Sequence, residues 1–123
     1  MTPLQMATDF MSRMGQKLNQ KWYMDFALED FRFSLIAEEY AEAWEESATG
    51  TDPINMLKEL ADLQYVINGY CATYGWDLDE AYRRVHVSNM SKLDDDGHPI
   101  KNEAGKVIKG PNYKPCDLSD LVA

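Results

Sequence analysis

Two short acidic motifs carry the residues of this sequence that could do chemistry. They read Glu38-Glu39-x-x-Glu42 and Glu59-x-x-Asp62. Residues three apart on a helix are neighbours on its surface, so each motif predicts a pair of adjacent carboxylates if both segments are helical. Carboxylates gathered in this way are typical ligands of a divalent cation.

The distance between the motifs predicts that the two pairs face each other. In an antiparallel helical hairpin the numbers of opposed residues have a constant sum, which pairs Glu39 with Asp62 and Glu42 with Glu59. The midpoint of the hairpin then falls just after Gly50, where a glycine favours the end of a helix. The sequence therefore predicts four carboxylates at one level of the hairpin.

Four carboxylates at one level cannot all stay ionised without a nearby cation. Their mutual repulsion raises their pKa values, and a ligand set made only of oxygens favours Mg²⁺ or Mn²⁺ over zinc. Glu39 and Glu42 share a helical stripe with the apolar residues Leu28, Phe31 and Leu35, and Glu59 and Asp62 share one with Val66 and Gly69, so we expect the acids to point inward. The alternative is a solvated acidic face, which is the expected role of Glu45 and Glu46.

Other kinds of metal site do not fit the sequence. The Glu-x-x-His motif of di-iron bundles is absent. The run Asp94-Asp95-Asp96-Gly97 lacks the spacing of an EF-hand loop. Cys71 and Cys116, with two histidines in the chain, form neither a zinc motif nor a disulfide framework.

Periodicity and capping signals predict four helices that position the acidic motifs. The first follows a capping box formed by Thr2 and Gln5, and Asp52 caps the third, with Pro53 in its first position. The expected ranges are about 3–19, 28–48, 53–74 and 78–92.

The composition changes after Lys92. From Gly97 to Pro115 there are three glycines, three prolines and four lysines against a single acid. The segment 102–105 fits the loop of a small hairpin. We predict an all-α, four-helix bundle in a single domain over 1–123, helical over 1–92, with an irregular basic tail or small hairpin over 93–123.

The negative net charge of the chain argues against nucleic acid as a partner. The chain has 123 residues, with 21 acids against 12 bases and a formal charge of −9. Binding to a nucleic-acid backbone needs a basic surface, so we expect no nucleic-acid partner. The sequence shows neither an apolar membrane span nor a signal peptide, so the expectation is no membrane contact and a reduced, cytoplasmic protein.

The acidic motifs and the tail together resemble a known family. The pattern Glu38-Glu39-Tyr40-Ala41-Glu42, followed after 16 residues by Glu59-Leu60-Ala61-Asp62, is similar to the MazG-like all-α nucleoside triphosphate pyrophosphohydrolases. The runs 87–92 and 105–113 resemble small phage and mobile-element members of that superfamily. The resemblance covers about residues 28–118.

The resemblance implies hydrolysis of a nucleoside triphosphate between the α and β phosphates, which yields a monophosphate and pyrophosphate. It implies that Mg²⁺, with Mn²⁺ as a possible substitute, is held by four acids: Glu39, Glu42, Glu59 and Asp62. Glu38 opens the motif as the candidate catalytic residue. It could orient or deprotonate the attacking water, or bind the metal through a water.

An acidic cluster cannot attract a triphosphate by itself, so basic and polar groups must meet the phosphates and sugar. The candidates are Asn89, Lys92, Lys106, Lys109 and Arg83. A nucleobase also needs a stacking surface. Trp22 is the first candidate because it lies in a predicted connector, and the other candidates are Trp44, Tyr70 and Trp76.

Two other functions stay open from the sequence. One is phosphoribosyl-ATP hydrolysis, which uses similar chemistry and which the tail makes less favoured. The other is a non-catalytic helical protein that binds a cation and interacts with partners. For the assembly we expect a homodimer or a dimer of dimers, since 14 aromatic and 7 Met side chains exceed what four short helices bury.

Overall fold

The computed structural model describes residues 1–122 and shows four α-helices. They are α1 (Pro3–Arg13), α2 (Phe26–Thr49), α3 (Pro53–Thr73) and α4 (Leu78–Met90), followed by a 3₁₀ turn over Ser119–Leu121. Within the described residues there is no β-strand, only an isolated bridge between Lys101 and Val107. The predicted all-α class with four helices is confirmed.

Local capping explains where the helices begin. The Thr2 hydroxyl accepts from the Gln5 backbone N–H while the Gln5 side chain accepts from Thr2, which is the predicted capping box. Asp52 caps α3 ahead of Pro53, also as predicted. The carboxylate of Asp25 accepts from the Leu28 N–H, so α2 begins at Phe26, two residues before the expected start.

The first helix is shorter than the sequence suggested, and the expected end near Asn19 is wrong. It ends at Arg13, and Gly15 takes a positive φ of 69°. A left-handed glycine just past the last turn satisfies helix carbonyls and redirects the chain. Residues 14–25 form a connector instead, in which the Gln20 N–H donates to the Thr73 carbonyl at 2.7 Å.

The chain divides into two compact units, the first over Met1–Leu78 and the second from Asp79 onward. In the first unit α3 packs against both α1 and α2. Within the described residues, few apolar side chains of this unit are buried, and they are Ala7, Met11, Ala43, Ala72 and Tyr74. The helices that carry the carboxylates, α2 and α3, are therefore packed around a small hydrophobic core.

The predicted inward apolar stripe on α2 is only partly buried. Leu28 and Leu35 are half-buried, but Phe31 is 51% exposed. The buried position beside it belongs to Arg32, whose guanidinium donates to the Gln16 side chain at 3.1 Å. The inward placement of Phe31 was wrong, because α2 turns its Arg32 side toward α3 and the connector that holds Gln16.

The second unit consists of α4 and the segment after it. The Ser88 hydroxyl donates to the Lys114 carbonyl at 2.8 Å, and Arg84 pairs with Asp120 at 2.6 Å. A small hairpin follows the predicted pattern, with the Ile108 N–H donating to the Ile100 carbonyl. These contacts anchor the basic tail to α4.

Candidate metal centre

Three of the predicted metal ligands meet where α2 packs against α3. Glu39 and Glu42 come from consecutive turns of α2, and Glu59 comes from α3. One carboxylate oxygen from each lies within 4.8 Å of the other two. We call Glu39, Glu42 and Glu59 the carboxylate cluster. Its geometry follows the opposed register that the sequence predicted for Glu42 and Glu59.

The oxygens of the carboxylate cluster are poorly satisfied by the protein. Glu39 Oε2 and Glu59 Oε2 are both buried, and neither has a hydrogen-bond partner within residues 1–122. A buried polar atom without a partner is costly. Two such oxygens in one cluster point to a group that the protein alone does not supply.

The electrostatics of the cluster favour protonation while no cation is bound. Burial raises the pKa of Glu39, and the carboxylates of Glu42 and Asp62 raise it further. Burial also raises the pKa of Glu59, and the nearby carboxylate of Glu42 raises it further. Each raised pKa favours the protonated form of its carboxyl group, and a metal ion that bound these groups would release such protons.

Asp62, the fourth predicted ligand, lies outside this group of three. Its Oδ2 accepts from the Lys58 ammonium at 2.7 Å, one turn away on α3. Sequence reasoning passed over Lys58, although a lysine four residues from an aspartate on a helix is a recognised pairing signal. Asp62 still lies close enough to Glu39 to raise its pKa.

The residues present fit a hard divalent cation. Every candidate ligand atom in the cluster is a carboxylate oxygen, which suits Mg²⁺ or Mn²⁺. Two of the cluster's residues, Glu39 and Glu59, each have a buried oxygen whose lone pairs no group within residues 1–122 satisfies. Glu39, Glu42 and Glu59 are the residues that would hold such an ion, and the fourth predicted ligand, Asp62, contacts Lys58. Glu38, the candidate catalytic residue, is exposed on α2 beside Glu39.

A second acidic group lies in the segment after α4. Oxygen and nitrogen atoms of Asp94, Asp96 and His98 also come within 4.8 Å of one another. Here Asp94 Oδ1 accepts the backbone N–H groups of Asp96 and His98, at 3.0 and 2.8 Å. We call these three residues the turn cluster, because Asp94 organises a turn.

Trp22, the predicted stacking surface, belongs to a group of aromatic side chains in the first unit. Its indole N–H donates to the Tyr70 hydroxyl at 3.0 Å, and that hydroxyl donates to Glu29 at 3.1 Å. Its ring packs against Tyr23 and Trp76, with centroids 4.1 and 5.7 Å away. The sequence named Trp22, Tyr70 and Trp76 separately, and the structure joins them. Trp44 lies elsewhere on α2 and contacts Tyr40.

Comparison with known families identifies the class of protein. The model of the phosphoribosyl-ATP pyrophosphohydrolase family matches residues 7–89, which include all five motif acids. The chain belongs to this family. The family is a member of the MazG-like all-α superfamily, so the predicted relationship is confirmed. The chain is thus a pyrophosphohydrolase, a hydrolase that acts on acid anhydrides.

No curated protein matches this chain. Among residues 1–122, no helix has both the length and the apolar character to cross a membrane.

Two predicted phosphate-binding residues of this pyrophosphohydrolase lie on α4. Arg83 is tied to Glu80 by two hydrogen bonds, at 2.6 and 2.8 Å. That pairing occupies part of the guanidinium, so Arg83 is less available to a phosphate than the sequence suggested. Asn89 is exposed near the end of the helix and is the last residue of the family match.

The three predicted lysines lie beyond the family match. Lys92 is half-buried just after α4, and Lys106 and Lys109 are exposed in the hairpin segment. The Lys109 ammonium lies 4.9 Å from the centre of the Tyr113 ring. A cation over an aromatic face is held by a modest electrostatic attraction, so Lys109 has a preferred position before any substrate arrives.

Proposed function

We propose that this chain is a Mg²⁺-dependent nucleoside triphosphate pyrophosphohydrolase that cleaves between the α and β phosphates. The products would be a nucleoside monophosphate and pyrophosphate. The observation that carries the proposal is the carboxylate cluster, whose two buried, unsatisfied oxygens lie in a chain of a pyrophosphohydrolase family. Family membership favours this enzyme over a non-catalytic cation-binding protein.

The proposed division of labour follows from the chemistry of anhydride cleavage. Phosphoryl transfer depends on charge neutralisation and alignment more than on covalent chemistry from the protein. A bound Mg²⁺ would neutralise phosphate oxygens and make a bound water a better nucleophile. The chain's part is to hold that ion with Glu39, Glu42, Glu59 and Asp62.

Glu38 is the proposed catalytic residue. It is exposed and directly precedes Glu39 on α2, so it is free to accept a proton from a water beside the cluster. Two further roles stay open, orientation of the water and metal binding through a water. Glu38→Gln should lower kcat with little change in Mg²⁺ affinity if Glu38 handles the water, whereas a metal ligand would change both.

For the triphosphate we propose contacts from Asn89, Lys92, Lys106, Lys109 and Arg83. Lysine and arginine side chains donate charge-assisted hydrogen bonds to phosphate oxygens. Lys92→Met should raise KM for the substrate more than it lowers kcat. Lys101→Met, on the same segment but outside the proposed set, is the matched control.

The identity of the substrate separates the proposal from its alternative. The matching family is named for phosphoribosyl-ATP, and this compound is the second candidate substrate. The resemblance of the tail to small phage-type members supports ordinary nucleoside triphosphates. A panel of ribo- and deoxyribonucleoside triphosphates and phosphoribosyl-ATP, assayed for pyrophosphate with and without Mg²⁺, decides between them. Release of orthophosphate and a diphosphate as primary products would contradict the cleavage position.

We also propose a homodimer or a dimer of dimers. Many large apolar side chains are exposed on α2 and α3, among them Tyr40, Trp44, Ile54 and Leu57, each more than half exposed. Apolar surface of this extent is typical of an interface. A second copy is the proposed partner, and a monomeric mass in light scattering at micromolar concentration would contradict it.

A reduced, cytoplasmic location stays a prediction. It is consistent with two free thiols, Cys71 and Cys116. Cell fractionation tests it. The predicted absence of nucleic-acid and membrane partners is tested by binding to duplex DNA and to anionic vesicles.

A further inference from the structure

We propose that the Lys58 ammonium balances the carboxylate cluster before a metal ion does, and that it holds Asp62 apart from the cluster until the metal enters. The inference rests on the proposed metal site and adds a residue that the acidic motifs do not mark. Lys58 is a positioning residue, because it acts through Asp62. Entry of the metal and release of Asp62 by Lys58 would then be one coupled event.

The first support is the contact itself. Lys58 Nζ lies 2.7 Å from Asp62 Oδ2, a short, charge-assisted hydrogen bond. An ammonium and a divalent cation compete for the same carboxylate lone pairs. While Lys58 holds Oδ2, that oxygen cannot bind a metal.

The second support is the position of Asp62. It lies outside the group formed by Glu39, Glu42 and Glu59, yet it is close enough to Glu39 to interact with it electrostatically. Asp62 lies one helical turn from Glu59 on α3, so their side chains share a face. A change of side-chain rotamer, with no movement of α3, would therefore bring Asp62 to the cluster.

The third support is that Lys58 interacts with more than one acid. Besides Asp62, the carboxylates of Glu59 and Glu39 act on its ammonium. An ordinary exposed ion pair between residues four apart contributes little to stability. Here the lysine also reduces repulsion among several like charges, and a divalent cation in the cluster would repel it.

This coupling has a thermodynamic consequence. A ligand that must displace an internal contact binds with an apparent affinity lowered by the stability of that contact. Lys58 would therefore weaken Mg²⁺ binding while it stabilises the metal-free protein. Removal of Lys58 should therefore strengthen Mg²⁺ binding and destabilise the metal-free protein.

The test is Mg²⁺ binding by calorimetry in the absence of nucleotide, at fixed pH and ionic strength. Lys58→Met removes the charge, and because Lys58 is exposed and methionine is a good helix former, the helix should persist. We expect Kd to fall about tenfold, as for loss of one unit charge a few ångströms away. An unchanged or weaker affinity would overturn the proposal.

Two further variants serve as controls. Lys21→Met removes an exposed lysine from the connector of the same unit, and its Kd should stay within about twofold of the wild type. Lys58→Arg keeps the charge and should restore an affinity close to the wild type. If Lys58→Arg binds as tightly as Lys58→Met, the charge of Lys58 is not the cause.

A spectroscopic measurement follows Lys58 itself. The carbon-bound protons of the Lys58 ε-methylene do not exchange with water, and their NMR signal is assigned by its absence in Lys58→Arg. We expect its chemical shift at saturating Mg²⁺ to move toward the value in metal-free Asp62→Asn, in which the salt bridge is absent. A chemical shift that stays at its metal-free value would overturn the proposal.

Mg²⁺ binding by the wild type and by Lys58→Met distinguishes an error in the metal site from an error in the role of Lys58. If the wild type binds no Mg²⁺, the metal site of the proposed function is wrong and the role of Lys58 falls with it. If the wild type binds Mg²⁺ and Lys58→Met binds it equally well, the metal site stands and only the role of Lys58 is wrong.

Discussion

The carboxylate cluster and the turn cluster contain similar ligand types in opposite surroundings. In both, three side chains bring candidate ligand atoms within 4.8 Å of one another. In the turn cluster the backbone N–H groups of Asp96 and His98 satisfy Asp94. In the carboxylate cluster two buried oxygens, on Glu39 and Glu59, have no partner within residues 1–122.

The hydrogen-bond partners of a carboxylate distinguish a structural acid from a candidate metal ligand. Closeness of acidic groups alone does not indicate a metal site, because a carboxylate that accepts local N–H groups simply builds a turn. A carboxylate that is buried, surrounded by like charges and short of donors needs a cation or a proton. By this criterion we propose the carboxylate cluster of α2 and α3, and not the turn cluster, as the metal site.

The largest expected effect is on catalysis. Glu39→Gln removes one charge and one ligand oxygen from the carboxylate cluster, and we expect turnover to fall about a thousandfold, several kcal/mol of lost transition-state stabilisation. The measurement is pyrophosphate release at saturating Mg²⁺. Glu45→Gln, an exposed acid on the same helix, should keep activity within about twofold. Full activity in Glu39→Gln would remove the cluster from the mechanism.

The next effect is stabilisation by the metal. Mg²⁺ at a hundred times its Kd should raise the free energy of unfolding by about 2.7 kcal/mol, seen as a higher Tm. Glu59→Gln should lose most of this gain, and Asp96→Asn, in the turn cluster, should keep it. If Asp96→Asn loses the stabilisation by Mg²⁺ and Glu59→Gln keeps it, the metal binds at the turn cluster instead of the carboxylate cluster.

A smaller effect is expected from the turn cluster. Asp94→Ala removes the acceptor of two backbone hydrogen bonds and should cost about 1 kcal/mol of local stability. Faster hydrogen exchange at the amides of Asp96 and His98 would report the loss. Mg²⁺ affinity should not change, and a weakened affinity would contradict a purely structural role for Asp94.

The smallest effect is on the pH dependence of the metal-free protein. Glu39 and Glu59 have pKa values raised above 4.5 in the folded state, so they bind more protons there than in the unfolded chain. Stability should therefore fall as pH rises from about that value through the raised pKa values. Tm measured against pH with a chelator checks this slope, and Mg²⁺ should remove it.

Glu80, which is paired with two arginines, should give a pH dependence of stability of the opposite sign. Arg83 and Arg84 lower the pKa of Glu80 to about 2. Its contribution to stability is present above its ordinary value of 4.5 and is lost as pH falls toward about 2. Glu80→Gln should flatten the acid side of the Tm profile and leave the slope of the carboxylate cluster intact. A change in that slope would mean that the two groups of acids are not independent.

Local features of this protein were determined by its sequence. Thr2 and Asp52 mark helix starts because their side chains accept N–H groups only two or three residues away. The register of Glu42 against Glu59 follows from helical periodicity and the position of the turn at Gly50. Such rules need only the residue types and their spacing along the chain, so they could be applied before the fold was known.

The competition of side chains for partners depended on how the helices pack. Lys58 attracts the carboxylate of Asp62, whereas the acids of the carboxylate cluster repel it. The strength of the repulsion from the α2 acids depends on how closely α2 and α3 pack. In the same way, Trp22 reaches Tyr70 across 48 residues of sequence. The physical reason is that burial and charge repulsion depend on distances through space, which the spacing of residues along the chain does not contain.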